Sequence, residues 1–192
     1  MTKRKKGLTA EMKKEAERQI WAQSRLIDYD TVNYRIHDLV DMFNPRQEAD
    51  DDDGEDDDGD LEKRVLFVGP DYRRKNVWSD KDRSAFIESL LLDLPAPFLI
   101  FGQLEERLIE IVDGVQRIRA LDAFVNDNLA LRGLTKLTAL NNFHFSDLDE
   151  TTKRKFRCKF LRIALLSEKV RLETRLDFAG RLNKSGRKVR CS

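Results

Sequence analysis

The chain has 192 residues, 40% of them apolar and 37% charged, and its formal net charge is +1. This length and apolar content are enough for one globular domain with its own core. Cys158 and Cys191 lack a paired spacing and no apolar run approaches the length of a membrane span, so we expect neither a disulfide framework nor a membrane protein. A cytoplasmic protein fits this composition.

Charge is distributed unevenly along the chain. Residues 48–62 hold eleven acids and no base, so the rest of the chain carries 36 Lys and Arg against 24 Asp and Glu. We expect this stretch to be a disordered acidic insertion, with mimicry of DNA phosphates in the protein's own basic groove as the alternative. Residues 153–192 carry fourteen bases against three acids, which attracts nucleic acid or a nucleotide, although a solvated surface has the same pattern.

The first 28 residues (1–28) predict a basic helical extension. A basic cluster at 3–6 precedes a charged helix whose thin apolar stripe includes Met12, Ile20 and Trp21. The cluster is either a DNA contact or, as is commoner for basic N-termini, a solvated segment.

Globular patterning begins at residue 29, so we expect one domain over 29–192. Apolar periodicity and turn residues predict alternating short strands and helices. In the first half these are a strand at 32–34, a helix at 36–43, a strand at 65–68, a helix capped by Ser79 or Asp80, and antiparallel strands at 98–101 and 108–112. In the second half they are a strand entering a turn at 143–148, a short helix at 151–156, a strand at 160–165 and an amphipathic helix or helix pair over 168–182. This order predicts an α+β fold, a small mixed sheet with surrounding helices.

The central motif of the chain is the stretch 110–121, E-I-V-D-G-V-Q-R-I-R-A-L. A short apolar run predicts a buried strand, Asp113-Gly114 predicts a turn, and helical periodicity follows. A helix that starts after a glycine turn presents unpaired N–H groups and the positive end of its dipole, which favour a phosphate. Arg117 and Arg119 strengthen that attraction.

Asp113 stands beside the opening of this helix and has more than one interpretation. A carboxylate there caps the helix or holds a metal ion on a phosphate. Asp-Gly is also the commonest hairpin turn signal, so a purely structural turn stays open on spacing alone.

Five separate stretches share the order and character of one known family. They are 29–40, 70–78 with P-D-Y-R-R, 86–97 with F-I-E-S-L-L, 112–117 with V-D-G-V-Q-R, and 181–186 with R-L-N-K-S-G. On these blocks the chain, over about residues 29–190, resembles the N-terminal domain of GmrSD-type, modification-dependent restriction endonucleases. That family belongs to the ParB/sulfiredoxin-like superfamily, so the resemblance implies a ParB/sulfiredoxin-like fold.

The resemblance also implies nucleotide binding and hydrolysis at the D-G-x-Q-R segment, with an NTP and Mg²⁺ as cofactors. It makes Asp113, Gln116 and Arg117 the central set, with Asp113 also as metal ligand. The nucleotide-binding residues that it implies are Tyr72, Arg73, Arg74, Gly114, Arg181, Asn183 and Gly186.

Side-chain chemistry gives these residues expected roles. Arg117 and Arg74 would clamp phosphate oxygens, Asp113 would hold Mg²⁺ or a water, and Gln116 would orient the attacking water. Asn183 and Gly186 would let a loop close over the nucleotide.

Two positions depart from the family pattern. Arg73 and Val115 stand where relatives usually have glutamine or a small polar residue, and a valine cannot hydrogen-bond a phosphate. Hydrolysis of the nucleotide is therefore left open even where binding is expected.

The expected function is a nucleotide-binding domain that regulates DNA restriction in defence against phage, with DNA and a separate nuclease subunit as partners. Many relatives continue into an HNH-type nuclease domain, and nothing in this chain supplies its residues, so we expect no HNH cleavage by the chain itself. The alternatives are a ParB-like DNA-binding module with nucleotide as a switch, and a truncated remnant that binds a partner protein.

Overall fold

The computed structural model describes residues 9–43, 64–69 and 77–185. The α-helices in these ranges are α1 (Ala10–Ser24), α2 (Ile36–Phe43), α3 (Asp80–Leu91), α4 (Val115–Val125), α5 (Glu150–Arg157) and α6 (Leu172–Ser185). The strands are β1 (Tyr29–Arg35), β2 (Val65–Phe67), β3 (Leu99–Gln103), β4 (Leu108–Asp113) and β5 (Phe160–Leu166). The acidic stretch 48–62 and the basic cluster 3–6 lie outside the described residues.

The five strands form one mixed sheet in the order β1-β5-β3-β4-β2. β1 pairs with β5 and β3 with β4 in antiparallel fashion, whereas β3–β5 and β2–β4 are parallel. The β3–β4 hairpin was predicted from the sequence, and the two parallel pairings were not. A mixed sheet flanked by helices, with a further helix at the N-terminal end, confirms the α+β class.

One face of the sheet carries the main core. Alternation along the strands directs Phe101, Ile111 and Ile163 to this face, where they are fully buried against α2, α3, α4 and α5. Phe124 of α4 and Phe156 of α5 meet edge to face at its centre, with ring centroids 5.5 Å apart. The predicted helix at 36–43 is therefore part of this core through α2.

The opposite face of the sheet is covered in part by α6. Ile100, Val112 and Leu166 point to this side and are buried with Val170, and Phe178 of α6 packs against them. Among the described residues the helix covers only this cluster, and the face is open elsewhere, in particular where β3 and β5 begin.

A carboxylate on α3 holds the irregular segment that connects α4 to α5. Glu88 is buried and accepts hydrogen bonds from the backbone N–H groups of Leu137 and Lys136 at 2.8 Å each, and of Thr135 at 3.3 Å. These bonds, led by that from Leu137, lower the pKa of Glu88 because they favour the ionised carboxylate. The Glu88 side chain thus satisfies backbone N–H groups, a task that strand pairing performs elsewhere in the fold.

The predicted strand at 143–148 is wrong. This segment forms turns, in which Asp147 N–H donates to the His144 carbonyl and Leu148 N–H to the Phe145 carbonyl. Phe145 and Leu148 are nevertheless buried, and Phe145 packs edge to face on Phe124 with centroids 5.4 Å apart. The apolar alternation reflects insertion of side chains into the core and not strand pairing.

The predicted N-terminal helix is confirmed by α1, whose apolar stripe, including Ile20 and Trp21, is exposed, so this helix buries no core face of its own in the described structure. Two smaller expectations need correction. Phe98 was placed in a buried strand, but β3 begins one residue later and the Phe98 side chain is 49% exposed. Residues 183–185 were expected in a loop and instead continue α6. No helix in the described ranges is long and apolar enough to cross a bilayer.

Candidate functional site

The predicted strand–turn–helix motif is present. β4 ends at Asp113, Gly114 adopts a left-handed conformation with φ 106°, and α4 begins at Val115. No side chain among the described residues caps α4, so the N–H groups of its first turn have no capping oxygen from this part of the chain. The structure thereby excludes the capping role for Asp113 and retains the electropositive helix end that was expected.

Gly114 is required at this turn for two reasons. Its φ lies in the region that other residues adopt only with strain. In addition, a Cβ at this position would lie 2.2 Å from Cδ2 of Leu99, a fully buried core residue. The glycine therefore brings the start of α4 into close contact with β3.

Arg117 is held from three directions beneath the start of α4. Its Nη2 donates to Asp113 Oδ2 at 2.7 Å, and its Nη1 donates to the backbone carbonyls of Pro97 and Phe98 at 2.9 and 3.0 Å. The Arg117 side chain is 13% exposed and that of Asp113 22%. Burial lowers the pKa of Arg117, and the Asp113 carboxylate opposes this shift.

This geometry changes what Arg117 can do. The guanidinium ties the end of β4 to the segment that precedes β3, so it positions the turn before any ligand arrives. To clamp a phosphate directly, the guanidinium would have to break its hydrogen bonds with Asp113 and the two carbonyls. Breaking them in a partly buried place costs free energy. Because Asp113 neutralises this guanidinium, the attraction for an anion comes mainly from the N–H groups and the dipole of α4.

Gln116 connects α4 to the segment before α3. Its Oε1 accepts a hydrogen bond from the backbone N–H of Trp78 at 3.2 Å. The predicted residues Tyr72, Arg73 and Arg74 lie outside the described residues.

The C-terminal residues of the predicted set are not brought into a loop. Arg181 and Asn183 belong to α6, and the Nε of Arg181 donates to Asp177 Oδ2, one turn earlier, at 2.8 Å. Gly186 lies outside the described residues. The structure thus brings Asp113, Gly114, Gln116 and Arg117 together at one turn.

The described residues do not form a metal site of their own. No group of three or more His, Cys, Asp or Glu side chains suited to a metal ion occurs among them. The expected ligand Asp113 spends one oxygen on the Arg117 guanidinium, and a neighbouring cation disfavours a second one. An anion fits this turn better than Mg²⁺ bound by the protein alone.

Sequence reasoning missed a buried ion pair that anchors α6 to the sheet. Arg175 Nη1 lies 3.5 Å from Glu110 Oε2, and its Nε and Nη2 donate to the carbonyls of Val170 and Gln103 at 2.8 and 3.1 Å. Gly102 makes room for it, because a Cβ there would be 2.9 Å from Arg175 Nη1. An acid inside the apolar run I-E-I-V was the available signal, since such a charge needs a buried partner.

A comparison with protein-family models matches residues 55–187 to the GmrSD restriction endonuclease, N-terminal domain. This range covers more than half of the chain and includes the whole β4–Gly114–α4 turn. The chain belongs to this family. No curated protein and no solved structure matches it.

Membership of the GmrSD N-terminal domain family confirms the resemblance and connects the chain to restriction-type defence. The match contains four of the five sequence blocks, whereas the block at 29–40 lies before it. That block nonetheless supplies β1, which pairs with β5 over the full strand. The ParB/sulfiredoxin-like assignment stays a prediction.

Proposed function

We propose that this GmrSD N-terminal domain binds a nucleoside triphosphate at the start of α4 and, through the bound state, regulates DNA restriction by a separate nuclease subunit. The observation that carries the proposal is the uncapped N-terminus of α4, which follows directly from the left-handed Gly114 at the end of β4. Unpaired N–H groups and the helix dipole converge there on whatever lies in front of them.

Two further features support an anionic ligand at this place. The Asp113 carboxylate next to the helix end is paired with the Arg117 guanidinium at 2.7 Å, so the charge of the carboxylate is largely neutralised. A phosphate at the N–H groups would therefore not be repelled by a free Asp113 carboxylate. Family membership is consistent with this proposal, because restriction enzymes are controlled DNA-cleaving systems.

Each residue of the turn has a role in this proposal. The backbone N–H groups of Val115, Gln116 and Arg117 bind phosphate oxygens, and the Gln116 amide adds a donor beside them. The Val115 side chain packs against the core and takes no part. Mg²⁺ arrives on the nucleotide, because its usual ligands are substrate phosphates with one or two carboxylates.

The experiment is isothermal titration calorimetry with ATP, GTP, CTP and UTP in the presence of Mg²⁺. Gln116→Glu puts a negative charge beside the first turn of α4, so we expect nucleotide affinity to fall about tenfold or more. The matched control is Gln23→Glu on exposed α1, which makes the same chemical change far from the turn and should leave affinity unchanged. Phosphate release then separates an NTPase from a binding switch.

Two outcomes would contradict the proposal: no nucleotide binds the wild type, or Gln116→Glu binds as tightly as Gln23→Glu. Arg117→Ala is a poorer probe, because it also removes the bonds to the Pro97 and Phe98 carbonyls. A loss of binding in that variant would not distinguish a ligand contact from a displaced turn.

A second candidate function is a ParB-like DNA-binding module in which the nucleotide acts only as a switch. The observation that favours it is the basic composition of α5, where Lys153, Arg154, Lys155 and Arg157 lie within eight residues. This candidate predicts affinity for duplex DNA that falls steeply with salt and weakens in an Arg154→Ala, Lys155→Ala double variant. An affinity for duplex DNA that is the same in the double variant and in the wild type would contradict this candidate function.

A further inference from the structure

The part of the sheet face that α6 leaves open carries aromatic and basic side chains in register. Asn33 of β1 lies opposite Arg162 of β5, and Arg35 lies opposite Phe160. Directly opposed residues of antiparallel strands share a face, so these four side chains lie on the same side of the sheet. Phe98, just before β3, joins them, because the Arg162 guanidinium lies over its ring at 5.3 Å from the centroid.

Both phenylalanine rings of this surface are exposed to solvent. Phe98 is 49% and Phe160 59% exposed, although the face next to them is buried under α6. Each ring is accompanied by an arginine, since Arg35 lies over Phe160 at 5.7 Å from its centroid. Parallel strand geometry places the two phenylalanine Cα atoms about 8 Å apart. Single exposed apolar residues are ordinary, whereas exposed apolar patches bordered by polar side chains are characteristic of interaction sites.

The surface borders a groove of about 640 Å³ where β3 and β5 begin. Its lining includes Asn33, Pro95, Phe98, Phe160 and Arg162. Asp93 is the one acid among the described lining residues, and its carboxylate is paired with Lys159. The Arg162 charge therefore has no acidic partner among the described lining residues of the groove, which favours an anionic occupant.

We propose that this surface, defined by Arg35, Phe98, Phe160 and Arg162, binds single-stranded polynucleotide. Unpaired bases would stack on the rings of Phe98 and Phe160, and the two arginines would meet the phosphates. Exposed aromatic rings flanked by basic side chains are suited to single strands, because a base in a duplex has no free face for stacking. An acidic peptide would use the arginines and leave the phenylalanines without a role.

This binding surface goes beyond the nucleotide site at α4 and is tested separately from it. The rings lie on the α6 side of the sheet, whereas α4 packs on the other side. The two sites are connected by one segment, since Arg117 holds the Phe98 carbonyl. Phe160 and Arg162 have no contact with that segment's backbone among the described hydrogen bonds, so they are the residues to change.

The experiment is fluorescence anisotropy of the full chain with a labelled oligothymidylate of about 12 nucleotides, a length within the usual site range of single-strand binders. The same strand without bases and the corresponding duplex are the comparison ligands. We expect the oligothymidylate to bind more tightly than both. Phe160→Ala should weaken its binding about 5- to 100-fold, the range that loss of one stacked base produces.

Two control variants make the result specific. Phe160→Tyr keeps a ring for stacking and should bind as the wild type does. Trp21→Ala removes an exposed aromatic ring that also lies under an arginine, Arg25 at 3.8 Å, but on α1, and should have no effect. Arg162→Ala should reduce affinity and flatten its salt dependence, because one phosphate contact is lost.

The proposal is overturned if the abasic strand binds as well as the oligothymidylate, if the duplex binds more tightly, or if Trp21→Ala and Phe160→Ala have equal effects. Calorimetry of Phe160→Ala with nucleotide runs in parallel. If Phe160→Ala binds nucleotide normally but no longer binds the oligothymidylate, the two sites are separate. If the wild type binds the oligothymidylate but no nucleotide, only the proposed nucleotide-binding function is contradicted.

Discussion

Helices α3 and α4 pack against each other but begin in opposite ways. At α3, Ser79 Oγ accepts from the Asp82 N–H at 3.2 Å, and Asp82 Oδ2 accepts from the Ser79 N–H at 3.1 Å. At α4 the N-cap is Gly114, which offers no side chain, and the preceding Asp113 is committed to Arg117. One helix end is satisfied within the protein and the other is left with donors for a ligand.

The comparison teaches where stability and function are separated in this fold. The capping box of α3 is a purely structural device, because it uses the donors that a ligand would need. At α4 the same donors are spared, and the acid that could have capped them neutralises a buried arginine instead. Helix α5 follows the first pattern, with Asp149 accepting from Thr152 N–H at 3.0 Å.

The largest expected effect comes from Gly114→Ala, which changes the residue at the uncapped start of α4. The new methyl group would be placed 2.2 Å from Leu99 Cδ2 and the backbone would be strained, so we expect a loss of about 2–5 kcal/mol in the free energy of unfolding. Urea denaturation followed by circular dichroism measures it. Gly180→Ala in α6 is the control, because no atom lies within 4 Å of its added Cβ, and it should change stability by less than about 1 kcal/mol. Equal effects of the two substitutions would show that the turn is not restricted to glycine.

The second effect in size is that of Asp113→Asn, which removes the charge opposite Arg117. The pair is mostly buried, so leaving the guanidinium without its counter-ion should cost about 1–3 kcal/mol. Asp177→Asn breaks a pair of the same residue types at the same spacing in α6, where both side chains are mostly exposed. That control should cost less than about 0.5 kcal/mol. Equally small losses of stability in Asp113→Asn and Asp177→Asn would show that the Asp113 charge has no structural role at the uncapped start of α4.

The third largest expected effect is that of Ser79→Ala, at the capped start of α3. Loss of the N-cap hydroxyl should lower the free energy of unfolding by about 1 kcal/mol. Nucleotide affinity should stay unchanged, since this end offers nothing to a ligand. Calorimetry and denaturation on the same preparation check both halves, and a change in nucleotide affinity would show that the two helix ends are not separate in function.

The smallest expected effect is the pH dependence of the stability difference between wild type and Ser79→Ala. The Ser79 hydroxyl bond, followed by its backbone N–H bond, lowers the pKa of Asp82 from its ordinary 3.8. The associated stability is therefore present above pH 3.8 and is lost as the pH falls through the lowered value. The stability difference between wild type and Ser79→Ala should accordingly become smaller in acid, as seen by urea denaturation across pH, and the part from the Asp82 N–H bond to Ser79 Oγ should remain. A constant difference would contradict the role of the Asp82 carboxylate; the other carboxylates are common to both proteins and cancel.

Local patterns carried the prediction of the β4–Gly114–α4 turn. An apolar run, an Asp-Gly pair and helical periodicity are all properties of neighbouring residues, and the structure follows them. The partners of Arg117 could not be predicted in the same way, because the Pro97 and Phe98 carbonyls are some twenty positions away and meet it only through sheet pairing. The sequence thus predicted which residues form the site and missed that Arg117 is already engaged.

The wrong strand at 143–148 has a related cause. Alternation of Phe143 and Phe145 with polar residues satisfies the local rule for a strand, but pairing depends on a free neighbouring edge that only the fold defines. The hold of Glu88 on the backbone of 135–137 was likewise invisible, since its partners lie 47 to 49 residues away. Long-range polar contacts decide these parts, and apolar periodicity contains no record of them.

The pairing of β1 with β5 has a practical consequence for recombinant fragments. A fragment cut at the family boundary, residue 55, would lack β1 and α2. β5 would then present a free row of N–H and C=O groups, a template for aggregation, and the fully buried places of Ile36 and Leu39 would be empty. The boundary of sequence similarity therefore cuts through the folding unit, and a fragment intended for expression has to start before Tyr29.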